Sequence, residues 1–239
     1  MISIVIAAYN EEKRISPSLF KVKEYLTTRD MDYEIIVVDD GSADQTCKVV
    51  MDLTQDIPHL KVISYEMNMG KGYALRKGVL ASKGEAVLLT DADLSTPIEE
   101  LSKLLPLISD NECDIAIGSR ALALSEIIKK QPWWRENMGK LFNKIVRILV
   151  LDDFNDTQCG FKIFSGGIAR ALFHEAQIDR FAYDVEILAR AKKRGYRILE
   201  VPIRWINSPE SKVNPFRDSL QMFFDLLRIR LTLRKDYKL

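Results

Sequence analysis

EIIVVDDGSADQT, residues 34–46, is an apolar run that stops at two carboxylates, a glycine and a serine. Its length and its Ile and Val content suit a strand buried on both faces of a sheet. Ser42 and Gln45 then stand at the spacing of a capping box, which predicts a helix over about 44–55. Working outward, the same unit recurs: residues 2–7, 60–64, 86–89 and 115–117 are further short apolar runs, and helical periodicity fills about 11–28, 71–83 and 98–109 between them. Thr96, Pro97 and Glu99 repeat the cap spacing, with proline at the first helical position. This alternation predicts an α/β fold, a mostly parallel sheet flanked by helices.

Beyond Arg120 the rhythm changes. Residues 127–150 carry Trp133, Trp134 and many basic side chains, 156–164 read as a returning strand, and a helix around 184–194, a strand around 197–203 and a last helix from Phe216 follow. The 239 residues are 47% hydrophobic and 29% charged, which excludes a disordered or collagenous chain. Lys and Arg total 35 against 34 Asp and Glu, so the basic footprint of a dedicated nucleic-acid binder is missing. Cys47, Cys113 and Cys159 are odd in number and form no CxxC pair; this argues against a disulfide framework or structural zinc and for a reducing compartment. The opening MISIVIAAYN reads as a strand and not a signal peptide, and no run of eighteen apolar residues predicts a spanning helix.

In an open α/β sheet, ligands bind in the crevice outside the carboxyl ends of the strands. Those ends carry Tyr9, Asn10 and Glu11, then Asp39 to Ser42, then Asp91, Ala92 and Asp93, then Gly118, Ser119 and Arg120. Three carboxylate clusters and one arginine are thus expected on one rim. Asp91 and Asp93 are two apart, which in an extended segment points both side chains the same way. Such a pair repels unless a cation sits between, and a hard divalent ion with few protein oxygens and room for phosphate is the usual partner. The competing role, capping near Thr96, uses only one aspartate. Asp39 ends a buried run and is placed to accept hydrogen bonds from a nucleobase or ribose, whereas Asp40 also fits plain turn chemistry in Asp-Gly-Ser. NMGKG at 68–72 has glycines that allow close approach to phosphate and Lys71 to neutralise it, although it is not a P-loop. His59 and His174 lie near no acidic cluster, so no histidine triad or metal site is expected. Arg204, Ser211 and Lys212 are candidates for holding a phosphate.

Taken together, AAYNEE (7–12), VVDDGS (37–42), NMGKG (68–72), DADLS (91–95) and GSR (118–120) resemble, in order and spacing, the family 2 glycosyltransferases of GT-A fold. DTQCGFKIF (156–164), FAYDVEIL (181–188), VPIRW (201–205) and SKVNPF (211–216) look like the dolichyl-phosphate glucosyltransferases, with dolichyl-phosphate mannose synthases as more distant kin. The resemblance implies a Rossmann-like catalytic domain over 1–215, with a nucleotide-sugar half over 1–120 and an acceptor half over 121–215, and an amphipathic C-terminal interface helix and tail over 216–239. It implies that Ala8, Tyr9, Glu11, Asp39, Lys71, Asp91, Ala92 and Asp93 line the nucleotide. Asp93 directly, with Asp91 beside it, would hold Mg²⁺ or Mn²⁺. Arg120 would contact the diphosphate, Asp184 would stand beside sugar and acceptor, and Arg120, Arg204, Ser211 and Lys212 would receive the lipid phosphate. The reaction implied is inverting transfer of a hexose, glucose from UDP-glucose before others, onto a dolichyl or undecaprenyl phosphate, with Asp91, Asp93, Arg120 and Asp184 as catalytic residues. A mannose synthase-like enzyme using GDP-mannose, or a nucleotide-sugar-binding module without turnover, are the alternatives. A processive polysaccharide synthase fits less well, because Val201 stands where those enzymes carry the glutamine of QxxRW.

The C-terminal helix bears on the lipid. Leu220, Phe223, Phe224, Leu227 and Leu231 make one apolar stripe, and Met222, Leu226, Ile229 and Leu233 a second. Arg217, Asp218, Gln221, Asp225, Arg228, Thr232 and Lys235 fill the remaining arc. One stripe suffices to dock a helix. Residues 212–239 hold seven Lys and Arg against three Asp, and 120–147 hold seven against two acidic residues. Wide apolar arcs flanked by cations and tryptophan predict that 127–150 and 216–235 form a membrane-facing surface. The expected location is cytoplasmic, peripheral to the cytoplasmic face of a membrane, with no nucleic-acid partner.

Overall fold

β1 (Ile2–Ala8) is buried along almost its whole length, and its alternate side chains feed two different cores. Ile2, Ile4 and Ile6 pack on one face of the sheet and Val5 on the other. β2 (Tyr33–Asp39) is buried throughout in the same way, as a strand covered by helices on both sides requires. The structure, a computed structural model, describes residues 1–208 and 215–236. The remaining strands in chain order are β3 (Leu60–Ser64), β4 (Ala86–Asp91), β5 (Ile115–Ser119), β6 (Glu126–Lys129), β7 (Lys162–Ser165), β8 (Ile198–Pro202) and β9 (Arg204–Ile206). Among the described residues they form a seven-stranded sheet of order β3-β2-β1-β4-β7-β5-β8 and a separate β6-β9 pair. The expected parallel sheet is present, and it runs without a break through both halves of the chain.

One strand runs against the rest. β7 is antiparallel to both β4 and β5, and it is shorter than the strand expected over 156–164, beginning only at Lys162. Lys162 stands opposite Leu89 of β4 and Ile117 of β5, close to the carboxyl ends of those strands. The reversed direction therefore delivers the preceding segment, residues 156–161, to the same rim as the motif residues.

The helices are α1 (Ile15–Thr27), α2 (Thr46–Asp52), α3 (Lys71–Ala81), α4 (Leu101–Ser109), α5 (Trp133–Leu149), α6 (Gly166–Glu175), α7 (Tyr183–Lys193) and α8 (Pro215–Asp236). α1 buries Ile15, Leu19, Val22 and Leu26, the i, i+4, i+7, i+11 stripe of a helix packed on a sheet. Neither expected capping box is used. α2 starts at Thr46 with no side-chain cap, and the Ser42 hydroxyl instead accepts from the Asn10 amide at 2.9 Å. α4 is preceded by a 3₁₀ turn over Ile98–Glu100, and the Thr96 hydroxyl lies 3.8 Å from Cys159 Sγ. Loops at the rim must satisfy their own amides, and short polar side chains are drawn into that work in preference to capping.

α8 resolves its two stripes. Met222, Leu226, Ile229 and Leu233 are buried in the second core, while Leu220, Phe223, Phe224, Leu227 and Leu231 are 36–60% exposed. The helix packs on α5 and α7, so it is built into the fold and not appended to it. No helix of the described residues is long and apolar enough to cross a membrane.

Candidate active site

The strand register levels the motif residues. Ala8 pairs with Asp39 and Ala7 with Asp91, so β1, β2 and β4 end side by side. Asp40, just past β2, is buried and accepts from the Tyr65 hydroxyl (2.7 Å), Asn68 Nδ2 (2.8 Å) and the amides of Met69 and Gly70 (both 2.9 Å). Burial pushes its carboxyl up, and these donors pull it back only in part. Asp40 is thus a structural turn residue, and it takes two amides of the 68–72 loop, those of Met69 and Gly70. At Gly70 (φ +109°) and Gly72 an added Cβ would lie 2.5 Å from the Asp179 and Ile178 carbonyl oxygens. The glycines admit the protein's own backbone there, residues 178–180, and not only a ligand.

Lys71 does reach the rim. Its Nζ lies 2.5 Å from Asp91 Oδ1. Burial works against the ammonium charge, but Asp91, Asp184 and Asp93 outweigh it and hold Lys71 above the ordinary lysine range. For Asp91 burial is likewise the largest influence, and Lys71 overcomes it to hold the carboxyl low. Asp93 is arranged differently. β4 stops at Asp91 and the chain turns through Leu94 at φ +47°, a left-handed conformation that is costly for leucine. The alternation that would put both carboxylates on one side therefore does not extend to Asp93. It accepts from the Ser95 amide at 3.0 Å and stands 3.6 Å from Arg14 Nη1. Each carboxylate has its own cation.

The 156–162 segment, quoted above only as part of a motif, supplies residues to which the sequence reading gave no role of their own. Asp156 grips Arg120 through Nε (2.7 Å), Nη2 (2.8 Å) and the backbone amide (3.0 Å), while Trp205 lies 5.5 Å from the guanidinium. Against a large burial effect, Arg120 holds the Asp156 carboxyl down to about 2. Glu200 fixes the turn by accepting from the amides of Asn155 and Asp156 at 3.0 and 2.9 Å. Gly160 lies directly on Asp91, where an added Cβ would come 2.1 Å from Oδ2. Lys162 pairs with Asp184 at 2.5 Å, both nearly fully buried, and also donates to the Cys159 carbonyl. Burial pushes the Asp184 carboxyl up against the pull of Lys162 and Lys71. A lysine in a supposed strand was the available signal, since a buried charge demands a partner.

Asp39 is 3% exposed, with Oδ2 3.4 Å from the Ser42 amide and Oδ1 buried with no hydrogen-bond partner among the described residues. A buried acceptor without a donor is costly and calls for one. Glu11 is held by Arg14, Oε1 at 2.6 Å and Oε2 at 2.7 Å. Tyr9 is half-buried, and Ala8 and Ala92 are buried. Arg204 is not with this group: its Nε donates to buried Glu100 at 2.6 Å, and strand alternation turns it away from the side on which Trp205 meets Arg120. Ser211 and Lys212 lie outside the described residues.

No group of three or more His, Cys, Asp or Glu among the described residues is arranged to hold a metal ion. Asp91 and Asp93 fit the other kind of site, one or two carboxylates completed by phosphate oxygens and water, which suits Mg²⁺ or Mn²⁺. When bound, such an ion neutralises charge developing on a departing diphosphate.

Sheet order, the reversed β7 and the acidic rim agree with the GT-A fold expected from the sequence. Residues 3–173 match the model of glycosyl transferase family 2, and the chain belongs to that family. It is 38% identical to a human dolichyl-phosphate beta-glucosyltransferase over 96% of this chain and 75% of that one. With its Dictyostelium discoideum counterpart it shares 35% identity over 96% and 73%. Among solved structures, glucosyl-3-phosphoglycerate synthase from Mycobacterium tuberculosis, in complex with Mn²⁺, UDP and phosphoglyceric acid, superposes with a TM-score of 0.72 at 20% identity, covering 97% of this chain and 78% of that one. Mannosyl-3-phosphoglycerate synthase from Rubrobacter xylanophilus gives 0.71 at 18% identity, covering 100% and 76%.

Proposed function

We propose that the protein transfers glucose from UDP-glucose, with inversion, to a polyprenyl phosphate of the dolichyl type. The observation that carries this reading is similarity, over nearly the whole chain, to proteins named dolichyl-phosphate beta-glucosyltransferase. The rim supports it. Asp39 Oδ1 offers an unmatched acceptor for a nucleobase or ribose donor, with Tyr9, Glu11, Ala8 and Ala92 beside it. Asp93 and Asp91 provide the divalent-ion shell, Lys71 and Arg120 neutralise diphosphate, and Asp184 borders the sugar and acceptor. A phosphate monoester has a second pKa near 6, so the acceptor arrives as a nucleophilic dianion and asks little of a general base. Asp184, already paired with Lys162, need not act as one.

α8 packs on α5, whose Trp133, Leu141 and Ile148 are exposed along one face at eight- and seven-residue steps. The exposed faces of the two helices meet the membrane that carries the acceptor, and Lys212 with Arg120 receives the lipid phosphate. Unpaired Cys47, Cys113 and Cys159 suit the reducing, cytoplasmic side.

The test is nucleoside diphosphate release by purified protein with Mn²⁺ or Mg²⁺ and polyprenyl phosphate. UDP should be released from UDP-glucose only when the lipid phosphate is present, and Asp93→Ala should abolish release with the fold intact. Release of GDP from GDP-mannose alone would replace the donor, and binding of UDP-glucose without release under any condition would make the protein a binding module.

A further inference from the structure

Arg14 sits on the turn between β1 and α1, outside every motif read from the sequence. Its guanidinium joins three separate parts of the fold. Nε and Nη2 grip both oxygens of Glu11 at 2.7 and 2.6 Å, Nη1 donates to Ser208 Oγ at 2.7 Å, and the same Nη1 stands 3.6 Å from Asp93 Oδ2. Glu11 follows β1, Asp93 follows β4 and Ser208 follows β9. With Glu11 occupying one edge of the planar fork, the other edge is turned toward Asp93 and held there. A guanidinium cannot be deprotonated in a protein, so the positive charge beside Asp93 is permanent, and Lys71 places a second beside Asp91.

This arrangement has a consequence for loading. Asp93 shares this guanidinium with Glu11, which holds it more closely, and a divalent ion approaching Asp93 alone must come close to the fixed guanidinium. A nucleoside diphosphate changes the balance, because its oxygens add negative charge beside Arg14 and Lys71, over and above their carboxylate partners, while completing the ion's shell. Resting on the donor reading above, we propose that Arg14 is the resident counter-cation of Asp93 and a positioning residue that makes divalent-ion binding conditional on the nucleoside diphosphate. The two then enter as a synergistic pair, and by linkage each raises the affinity of the other by the same factor. The planar fork fixes Glu11 at the nucleobase end with the same group that guards the metal end.

The experiment measures binding and not turnover. Free Mn²⁺ is followed by electron paramagnetic resonance during titration of the intact protein, with and without saturating UDP. Wild type should bind Mn²⁺ about 50-fold more tightly with UDP present, within the usual span of coupling between sites. Arg14→Gln should bind Mn²⁺ alone about tenfold more tightly than wild type, with the UDP effect cut about fivefold. Arg14→Lys, which keeps the charge and loses the fork, should bind Mn²⁺ alone as weakly as wild type. Wild type that binds Mn²⁺ equally well with and without UDP overturns the proposal with no variant needed. So does a folded Arg14→Gln whose affinity for Mn²⁺ alone stays within about twofold of wild type, or a lysine variant that changes as the glutamine variant does. In those variant outcomes synergy in wild type leaves the donor reading standing, whereas wild type that takes up neither UDP nor Mn²⁺ removes both.

Discussion

Asp156 limits where Arg120 can reach, because three hydrogen bonds converge on one carboxylate and leave the guanidinium few orientations. Bidentate pairing of this kind fixes geometry as well as charge. Asp156→Asn keeps the shape and removes the charge, leaving Arg120 without its counter-ion. Breaking a buried pair costs about 3–5 kcal/mol, and the partial exposure of Arg120 places this one toward the lower end, as denaturant unfolding would read it. The pH dependence has a definite sign. The folded carboxyl is depressed to about 2 from 3.8, so its contribution is complete above about pH 4 and lost as pH falls toward 2. The stability gap between wild type and Asp156→Asn should therefore be flat above about pH 4.5 and close on acidification; a gap that persists at pH 2 would remove the assignment.

α8 is a helix with two jobs written on its circumference, and its faces should respond oppositely to mutation. Leu226 is fully buried among Met222, Ile229 and Leu233, so Leu226→Ala should cost about 2–5 kcal/mol through lost burial and a residual cavity. Phe223 points outward, and Phe223→Ser should shift stability by less than about 0.5 kcal/mol. Vesicle binding should show the reverse. With anionic liposomes at low salt, wild type should float, and Phe223→Ser combined with Trp133→Ala and Trp134→Ala should stay in the lower fractions. Equal flotation of the triple variant would mean that the exposed stripe and the exposed end of α5 do not meet the membrane.

Across the assembled site, four carboxylates at the rim have a cation from a distant part of the chain: Asp91 with Lys71, Asp93 with Arg14, Asp156 with Arg120 and Asp184 with Lys162. Lys71 is held above its ordinary range, and Asp91 and Asp156 below theirs. These three keep their charges through neutral pH, so the acceptor phosphate is the group expected to titrate. The rate at limiting lipid acceptor should fall about tenfold per pH unit below about pH 6, following the second ionisation of a phosphate monoester. Asp184→Asn, although slower, should keep that inflection in place. A profile flat from pH 5 to 8, or an inflection that vanishes with Asp184, would show that the acceptor's own ionisation does not govern the rate.

The strand and helix alternation, the carboxylates at the strand ends and the two stripes of α8 were all legible in the order of residues. Each is set by neighbours a few positions away: strand period, turn chemistry and helical spacing are local properties of the chain. Legibility ended where partners are distant. Arg120 and Asp156 are 36 residues apart, Lys162 and Asp184 22, Arg204 and Glu100 104. Arg204 read as a free phosphate ligand because nothing near it in the chain announces Glu100. Lys162 and Gly160 read as strand because the reversal of β7, which brings them onto Asp91 and Asp184, is a matter of sheet topology. Which stripe of α8 docks was equally open, since both are apolar and only the shape of the core selects one. Periodicity lies along the chain, but charge pairing, strand direction and the choice of buried face depend on what lies across space, and those were settled when the sheet assembled.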